Sequence, residues 1–215
     1  MITEFTFVRH GETAANENGI LQGQLDTALN RLGLRQAEAV AEYLRDRPFD
    51  LAVSSDLSRA VVTARTILSH GHEGVPFETS PALREFHCGA GQGMKIAEVG
   101  VRWPDYRKYF SGAIPEGRIL GGESCIEVQA RVDAFLEEMT RLHAGKRILL
   151  VSHYGVVQRI FRRIVGPVSG DRLFPRMDNC AVSTFRYLHE CGAWQLTGWN
   201  QKRHLENLAL HQIDV

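Results

Sequence analysis

The uninterrupted apolar run Ile148–Val151 constrains the fold of this chain more than any other stretch. A strand without alternating polar residues is typical of a parallel sheet that is covered by helices on both faces. Two further segments, Phe5–Val8 and Asp50–Ser54, have the composition and length of strands. Amphipathic helical patterns separate these segments along the chain. This order of elements predicts an α/β fold with a mostly parallel central sheet.

Apolar residues spaced three and four apart predict the helices, and the clearest pattern runs from about Asn30 to Arg47. A second helix is expected after Ser55 and Asp56, whose side chains are suited to cap it. Further helices are predicted over about Arg102–Phe110, over about Glu123–His143 and from Val156 to a stop at Gly166 and Pro167. Further strands are predicted over Pro76–Thr79, Cys180–Leu188 and Ala193–Trp199. The segment 14–29 is predicted to be loop-like. The irregular segment from about 89 to 121 is predicted to be a cap inserted over the sheet of a single domain, 1–215.

Composition excludes several classes of function. The 215 residues carry 25 basic and 25 acidic side chains, so no basic excess points to nucleic acid or to an anionic membrane. No apolar run is long enough to span a bilayer, and no signal peptide is evident at the N-terminus. The four cysteines are widely spaced, which argues against a zinc site and a disulfide framework. A soluble cytoplasmic protein without a metal or cofactor is expected.

Charged and polar residues follow the predicted strands at the ends where ligands bind. One strand ends in Arg9-His10-Gly11, and another ends in Ser152-His153-Tyr154. Arg59 opens the helix that follows a third strand. Because the carboxyl ends of parallel strands face one crevice, these groups are expected to converge there. The glycine of the first motif is expected to let the backbone turn and a ligand approach closely.

Two histidines beside two arginines suit a tetrahedral anion such as phosphate, which arginine binds with paired donors. The positive charges of Arg9 and Arg59 disfavour protonation of His10, and a neutral imidazole can attack phosphorus directly. Such a reaction needs no divalent metal. Glu85 is the candidate proton donor to the leaving oxygen, because the charge of a bound phosphate would favour its protonated form.

These motifs resemble the histidine phosphatase superfamily, in the branch that holds phosphoglycerate mutases and many small phosphatases. The matching pieces, in order, are Arg9–Thr13 with Asn16, Gln22-Gly23 with Asp26, Ser54–Ala60 with Thr63-Ala64, Leu83–Glu85, Gly122–Ser124 and Ser152-His153. The resemblance implies a three-layer α/β/α sandwich and a phosphorylated nucleophile at His10. It also implies a phosphate pocket of Arg9, Arg59 and His153, a proton donor at Glu85, and a substrate side lined by Asn16, Gln22 and Gly23.

Two positions depart from the family pattern. Tyr154 stands where family members commonly have glycine, and its phenol would narrow the pocket or contact the leaving group. The stretch 89–93 lacks the tryptophan of many small phosphatases and has Gln92 in place of glutamate. Both departures bear on which substrate is bound, and not on the mechanism of phosphoryl transfer.

The leading hypothesis is a metal-independent phosphomonoesterase that acts on a small phosphorylated metabolite. A phosphoglycerate mutase-type phosphotransferase is the alternative, although the segment between Glu85 and His153 has no tight arginine pair. A non-catalytic phosphate-binding module is a third possibility. Sugar phosphates, phosphoglycerates, nucleotide-linked phosphates and cofactor precursors all remain open as substrates. The predicted edge strand Pro76–Thr79 could pair in a homodimer.

Overall fold

The computed structural model describes residues 1–166 and 175–208. A sheet of six strands lies at its centre, in the order β3-β2-β4-β1-β5-β6. The strands are β1 (Ile2–Arg9), β2 (Leu51–Ser54), β3 (Phe77–Thr79), β4 (Arg147–Ser152), β5 (Val182–Leu188) and β6 (Ala193–Gln201). The first four run parallel, and β5 and β6 are antiparallel to their neighbours. The predicted α/β class with a mostly parallel sheet is confirmed.

Seven α-helices are formed by the described residues. They are α1 (Ala14–Glu17), α2 (Arg31–Leu44), α3 (Ser58–Leu68), α4 (Ile96–Arg102), α5 (Tyr106–Ser111), α6 (Cys125–Leu142) and α7 (Tyr154–Val165). The short helix α1 lies in the segment predicted to be a loop, where Thr13 and Asn16 form a capping box. Pro167 of the predicted helix stop lies outside the described residues.

The sheet separates two apolar cores. Ile148 and Leu150 of β4 pack with α6 and α7, whereas Leu149 and Val151 pack with α2 and α3. Successive side chains of a strand point to opposite faces, so this run fills both cores. All four side chains are fully buried. The unbroken apolar run predicted a strand buried on both faces of the sheet. The structure confirms that β4 is buried on both faces.

The segment between the third strand and α6 differs from its prediction. One helix was expected over Arg102–Phe110, but α4 ends at Arg102 and α5 begins only at Tyr106. Pro104 explains the break, because proline disfavours helical geometry in the preceding residue and cannot donate a backbone hydrogen bond. Both helices pack on a small separate cluster of Val99, Tyr106 and Ile119.

The absence of a side chain at Gly11 allows a close contact with the backbone of α2. A Cβ placed there would lie 2.5 Å from the carbonyl oxygen of Gly33, in the first turn of α2. Conversely, a Cβ on Gly33 would lie 2.0 Å from the carbonyl oxygen of Glu12, the residue after Gly11. The two glycines therefore let the loop after β1 pack directly on a helix.

Within the described residues, no helix has both the length and the apolar character needed to cross a membrane.

Candidate active site

Two histidines meet where the parallel strands β1 and β4 end. The register pairs Arg9 with Ser152, so the next residues, His10 and His153, leave the sheet side by side. The centroids of the two imidazole rings are 5.0 Å apart. The structure thus brings together the two histidines that the sequence motifs singled out.

One ring nitrogen of His10 is hydrogen-bonded to the backbone, and the other is available to a ligand. Its Nδ1 lies 2.7 Å from the carbonyl oxygen of Gly11. A carbonyl oxygen can only accept, so Nδ1 carries the proton and Nε2 keeps its lone pair. Burial, followed by the charges of Arg59 and Arg9, holds the pKa of His10 well below its usual value. The side chain is therefore a neutral imidazole at pH 7, and it contributes to the wall of the cavity.

The two arginines are anchored by carbonyl oxygens instead of carboxylates. Arg9 donates from Nη1 to Met177 at 2.7 Å. Arg59 donates from Nη1 to Leu25 at 2.7 Å and from Nη2 to Gly23 at 2.8 Å. The buried Nε atoms of both have no partner among the described residues. Carbonyl acceptors orient a guanidinium without neutralising it, so both cations can attract an anion.

Burial lowers the pKa of both arginines, because little negative charge nearby offsets the cost of burying a cation. It lowers the pKa of Arg59 to about 10, while the charge of Glu85 acts in the opposite direction. Burial also lowers the pKa of Arg9, again against the influence of Glu85. Both groups remain protonated at pH 7. A phosphate dianion bound beside them would supply the missing countercharge.

Glu85 is held at the cavity by the backbone of two segments. Its Oε1 accepts a hydrogen bond from the amide of Phe86 at 2.9 Å, and its Oε2 accepts one from the amide of Gly155 at 3.1 Å. Gly155 has to be a glycine here. A Cβ at that position would lie 2.2 Å from Glu85 Oε1 and 2.5 Å from the ring of Phe86.

The loop that carries Glu85 is fixed by an ion pair that sequence reasoning did not assign. Arg131 on α6 donates to the backbone oxygens of Ala82 and Glu85, at 2.8 and 3.0 Å. The same guanidinium pairs with Glu123 at 3.0 Å. Glu123 in turn accepts from the amide of His87 at 2.7 Å. Glu123 belonged to a recognised motif, but nothing in the sequence marked Arg131 as its partner.

His153 lies beside His10 and is more deeply buried. Its side chain is fully buried and is not among the residues that line the opening. Its Nε2 forms a 2.8 Å hydrogen bond with the hydroxyl of Ser55. Burial, then the charges of Arg59 and of His10, hold the pKa of His153 well below its usual value. The structure therefore places a neutral imidazole beside the proposed nucleophile, and the contact of His153 with phosphate stays a prediction.

The residues before Arg59 correct one prediction. The N-cap of α3 is Leu57, without a side-chain cap, and neither Ser55 nor Asp56 fills that position. Asp56 instead forms a bidentate ion pair with Arg84, at 2.6 and 2.7 Å. The Asp56 carboxylate thus ties the start of α3 to the loop of the proposed acid.

The residues predicted on the substrate side do line the cavity, together with Tyr154. The amide oxygen of Gln22 accepts from the hydroxyls of Thr13 and Thr27, which leaves its amide nitrogen available to a ligand. Asn16 is oriented by the capping box of α1. Gly23 acts through its carbonyl oxygen, which holds Arg59.

Tyr154 covers one of the two arginines. The guanidinium of Arg9 lies 5.4 Å from the centroid of the Tyr154 ring. Burial raises the pKa of Tyr154 to about 12, so the phenol is neutral across the physiological range. Gln92, the other departure from the family pattern, accepts from the amide of Gln24 at 2.8 Å and so joins two loops of the cavity.

The cavity above His10 has about 790 Å³ of empty space, including its mouth. Its lining includes the polar residues Arg9, His10, Arg59 and Glu85. Seven apolar or aromatic residues also line it: Ile20, Leu21, Phe86, Cys88, Ile96, Tyr106 and Phe110. Arg107 and Gln158 add further polar groups to the lining. Among the described residues, no group of three or more His, Cys, Asp or Glu side chains could hold a metal ion.

Comparison with known proteins gives matches over nearly the whole chain. The family model of the histidine phosphatase superfamily, branch 1, matches residues 5–202. A metal-independent phosphoserine phosphatase of Arabidopsis thaliana is 34% identical over 213 residues, which cover 98% of this chain and 87% of that protein. A probable phosphoglycerate mutase of Proteus mirabilis (strain HI4320) is 34% identical over 212 residues, 96% of either chain. Among solved structures, a mycobacterial glucosyl-3-phosphoglycerate phosphatase has 30% identity and a TM-score of 0.81, covering 94% of this chain and 100% of that one.

Proposed function

Because this chain belongs to branch 1 of the histidine phosphatase superfamily, as its motifs predicted, we propose that it hydrolyses a small phosphorylated metabolite through a phosphohistidine on His10. It is a hydrolase that acts on phosphate monoesters, and the phosphatases among its relatives support that class. One observation carries the mechanism. The Nδ1 proton of His10 is held by Gly11, so the lone pair of Nε2 is available in the cavity that two arginines also line.

In the first half-reaction the Nε2 lone pair of His10 attacks phosphorus, and the bond from phosphorus to the ester oxygen breaks. Protonated Glu85 gives its proton to that oxygen, and the alcohol leaves. Arg9 and Arg59 stabilise the charge of the transferring phosphoryl group, because their carbonyl anchors leave both cations unneutralised.

In the second half-reaction a water molecule attacks the phosphohistidine. The Glu85 carboxylate takes a proton from this water as its oxygen bonds to phosphorus, and the bond from phosphorus to Nε2 breaks. Inorganic phosphate leaves, while His10 is neutral again and Glu85 is protonated. We propose that His153 acts from the side of His10, by keeping a neutral ring against it and so maintaining its position.

The phosphate site and the substrate side are proposed to be formed by different residues. Arg9, His10 and Arg59 would hold the phosphoryl group. Asn16, Gln22, Gly23 and Tyr154 would contact or border the rest of the substrate. The segment 89–121 would act as a cap of one domain, because its residues Ile96, Tyr106 and Phe110 line the cavity.

The cellular location of the protein and its contact in a homodimer are also proposals. A cytoplasmic protein without nucleic acid or membrane partners is consistent with equal numbers of acidic and basic side chains. The three-residue edge strand β3 would be the contact of a homodimer, because edge strands present unpaired backbone groups.

The proposed nucleophile is tested with p-nitrophenyl phosphate in the presence of EDTA. His10→Ala should lower kcat by at least about a thousandfold, as is usual for loss of a covalent nucleophile. His70→Ala, on a half-buried histidine between α3 and the next strand, is the matched control and should keep wild-type turnover. Loss of wild-type activity in EDTA, or turnover that survives in His10→Ala, would overturn the mechanism.

A phosphoglycerate mutase-type phosphotransferase is the second candidate, because a relative of that name matches 96% of the chain. The two functions differ in the acceptor of the phosphoryl group. Enzyme labelled on His10 should release its phosphate to water at the rate of steady-state turnover. Transfer to 3-phosphoglycerate much faster than to water would establish the mutase instead.

A further inference from the structure

Ser55 and His153 form a buried pair next to His10. Parallel pairing of β2 with β4 brings them together, since Ser54 lies opposite Val151 and the two chains continue side by side. Both side chains are fully buried. The Ser55 hydroxyl and His153 Nε2 are 2.8 Å apart, which is hydrogen-bond distance. The distance alone does not say which atom donates, because a neutral imidazole has two tautomers.

The other contacts of this pair decide the direction of the hydrogen bond. The Ser55 oxygen also accepts from the backbone amide of Leu57, at 3.3 Å. Among the residues that the structure describes, His153 Nε2 is the one acceptor within reach of the Ser55 hydroxyl. The second ring nitrogen of His153, Nδ1, is buried and has no partner within the same residues.

The two tautomers of His153 leave different numbers of buried polar groups unpaired. With the proton on Nδ1, the Ser55 hydroxyl donates to Nε2 and accepts from Leu57, and only the Nδ1 donor is unpaired. With the proton on Nε2, that nitrogen donates to Ser55, so the serine hydrogen and the Nδ1 lone pair are both unpaired. Because an unpaired buried group is unfavourable, the Nδ1–H tautomer is the more stable one.

This tautomer leaves a neutral donor in the neighbourhood of two cations. Burial, then the charges of Arg59 and of His10, keep the pKa of His153 low, so its ring carries a single proton at pH 7. Folded proteins rarely keep a buried donor unpaired unless water or a ligand satisfies it. The ligand expected here is the phosphoryl group, because Arg9 and Arg59 are the residues proposed to hold it and their charges act on His153.

We propose that Ser55 is a positioning residue, which holds His153 as the Nδ1–H tautomer so that this nitrogen donates to a phosphoryl oxygen. The opposite tautomer would present a lone pair to the same oxygen, and two acceptors repel each other. Ser55 thus acts on His153 as the Gly11 carbonyl acts on His10, by fixing which nitrogen carries the proton. The inference rests on the proposed phosphatase function, but the tautomer can be measured without turnover.

Nitrogen-15 NMR of the histidine rings tests the tautomer directly. A ring nitrogen that carries a proton and one that carries a lone pair resonate far apart, and His153→Asn identifies the signals of His153 by their loss. At pH 7 the wild type should have a protonated Nδ1 and an unprotonated Nε2. In Ser55→Ala the proton should shift toward Nε2. A wild-type ring protonated on Nε2, or a tautomer that is unchanged in Ser55→Ala, would overturn the proposal.

Kinetics of Ser55→Ala test the consequence for the phosphoryl group. With p-nitrophenyl phosphate, kcat/KM should fall at least about tenfold, and the inhibition constant of inorganic phosphate should rise by a similar factor, since a hydrogen bond to a charged group is weakened. Thr140→Val is the matched control, because it removes a buried hydroxyl of α6 without changing the shape of the side chain. It should keep wild-type kinetics. Wild-type kinetics in Ser55→Ala would contradict the proposed role.

A second background separates this role from simple support of α3. The Ser55 oxygen accepts from Leu57, the N-cap of the helix that carries Arg59, so its loss would also disturb a structural role there. His153→Asn keeps a side-chain N–H near the position of Nδ1 but has no ring tautomer. In that background Ser55→Ala should change kcat/KM less than about twofold. The full loss in both backgrounds would show that Ser55 only supports α3.

Binding measurements keep the test independent of turnover. Inorganic phosphate should raise the melting temperature of the wild type more than that of Ser55→Ala. Equal rises would overturn the proposal even if the variants are inactive. Persistence of p-nitrophenyl phosphate hydrolysis in His10→Ala would instead refute the phosphatase mechanism, while the NMR result on His153 would be unaffected.

Discussion

Glu85 and Gly155 are in direct contact, and the contact requires the absence of a side chain at Gly155. The Gly155 amide donates to the Glu85 carboxylate at 3.1 Å, and an added Cβ would lie 2.2 Å from its other oxygen. The first turn of α7 thus positions the proposed proton donor, at a distance of 70 residues along the chain.

Gly155→Ala should displace Glu85 and weaken proton transfer to the leaving group. We expect kcat to fall about tenfold to a hundredfold for an alkyl phosphate, within the usual contribution of a general acid. The loss should be smaller for p-nitrophenyl phosphate, whose leaving group needs little protonation. Gly74→Ala is the matched control, because nothing lies within 4 Å of its added Cβ. Equal losses on both substrates would argue against a role of Gly155 in proton donation.

The stability of the protein should fall between pH 7 and pH 5. Both His10 and His153 have pKa values held well below the usual one, so they stay neutral in the folded state while the unfolded chain takes up protons near pH 6.5. The unfolded state then binds more protons, and stability rises with pH in this window. Each histidine contributes a slope of up to about 1.4 kcal/mol per pH unit.

Urea unfolding at pH 5, 6, 7 and 8 measures this slope. The free energy of unfolding should change little between pH 7 and pH 8, which provides the internal reference. His10→Gln should reduce the acidic slope by up to about 1.4 kcal/mol per pH unit. A slope that is unchanged in this variant would mean that His10 takes up its proton in the folded state.

Arg131 should matter for activity although it does not line the cavity. Arg131→Met removes donors to the backbone of the acid loop and leaves Glu123 without its ion pair. We expect a loss of about 1–3 kcal/mol in unfolding free energy, because partly buried acceptors lose their donors. We also expect a fall in kcat, because Glu85 is less well positioned.

The exposed pair of Arg163 and Glu137 serves as the control for this prediction. Arg163→Met should cost less than about 1 kcal/mol, as is usual for surface ion pairs. A double-mutant cycle with Glu123→Gln then isolates the coupling between Arg131 and Glu123. Additive losses in that cycle would contradict an energetic link between the two residues.

Tyr154 should act through its ring more than through its hydroxyl. Tyr154→Phe keeps the ring beside Arg9, whereas Tyr154→Gly restores the residue common in the family and removes it. We expect Tyr154→Gly to weaken inhibition by inorganic phosphate about twofold to tenfold, since Arg9 loses a partner for its side chain. Tyr154→Phe should stay near the wild-type value. If Tyr154→Phe weakens inhibition by phosphate as much as Tyr154→Gly does, the hydroxyl and not the ring is the important group.

The sequence was informative wherever a candidate site residue directly follows a strand or begins a helix. His10 follows an apolar strand and Arg59 opens a helix, so parallel pairing was enough to predict that they converge. The same reasoning did not predict the hydrogen-bond partners of these side chains. His153 follows a neighbouring strand, and its hydrogen bond with Ser55 is visible only in the structure.

The sequence was uninformative where a role depends on contact between distant segments. Gly155 appeared to be a neighbour of the second histidine, and its packing on Glu85 is visible only in three dimensions. Arg131 was one polar residue on an amphipathic helix, and Gln158 was another. Nothing in their spacing indicates that one supports the acid loop and the other faces the cavity.

The anchoring of Arg9 and Arg59 by neutral carbonyl oxygens has a consequence for turnover. Such a site would attract any phosphate dianion, and the inorganic phosphate released by the proposed reaction is one. The product would therefore compete with the next substrate molecule for the same two cations. The rate of this enzyme in a cell would then follow the ratio of substrate to free phosphate, and not the substrate concentration alone.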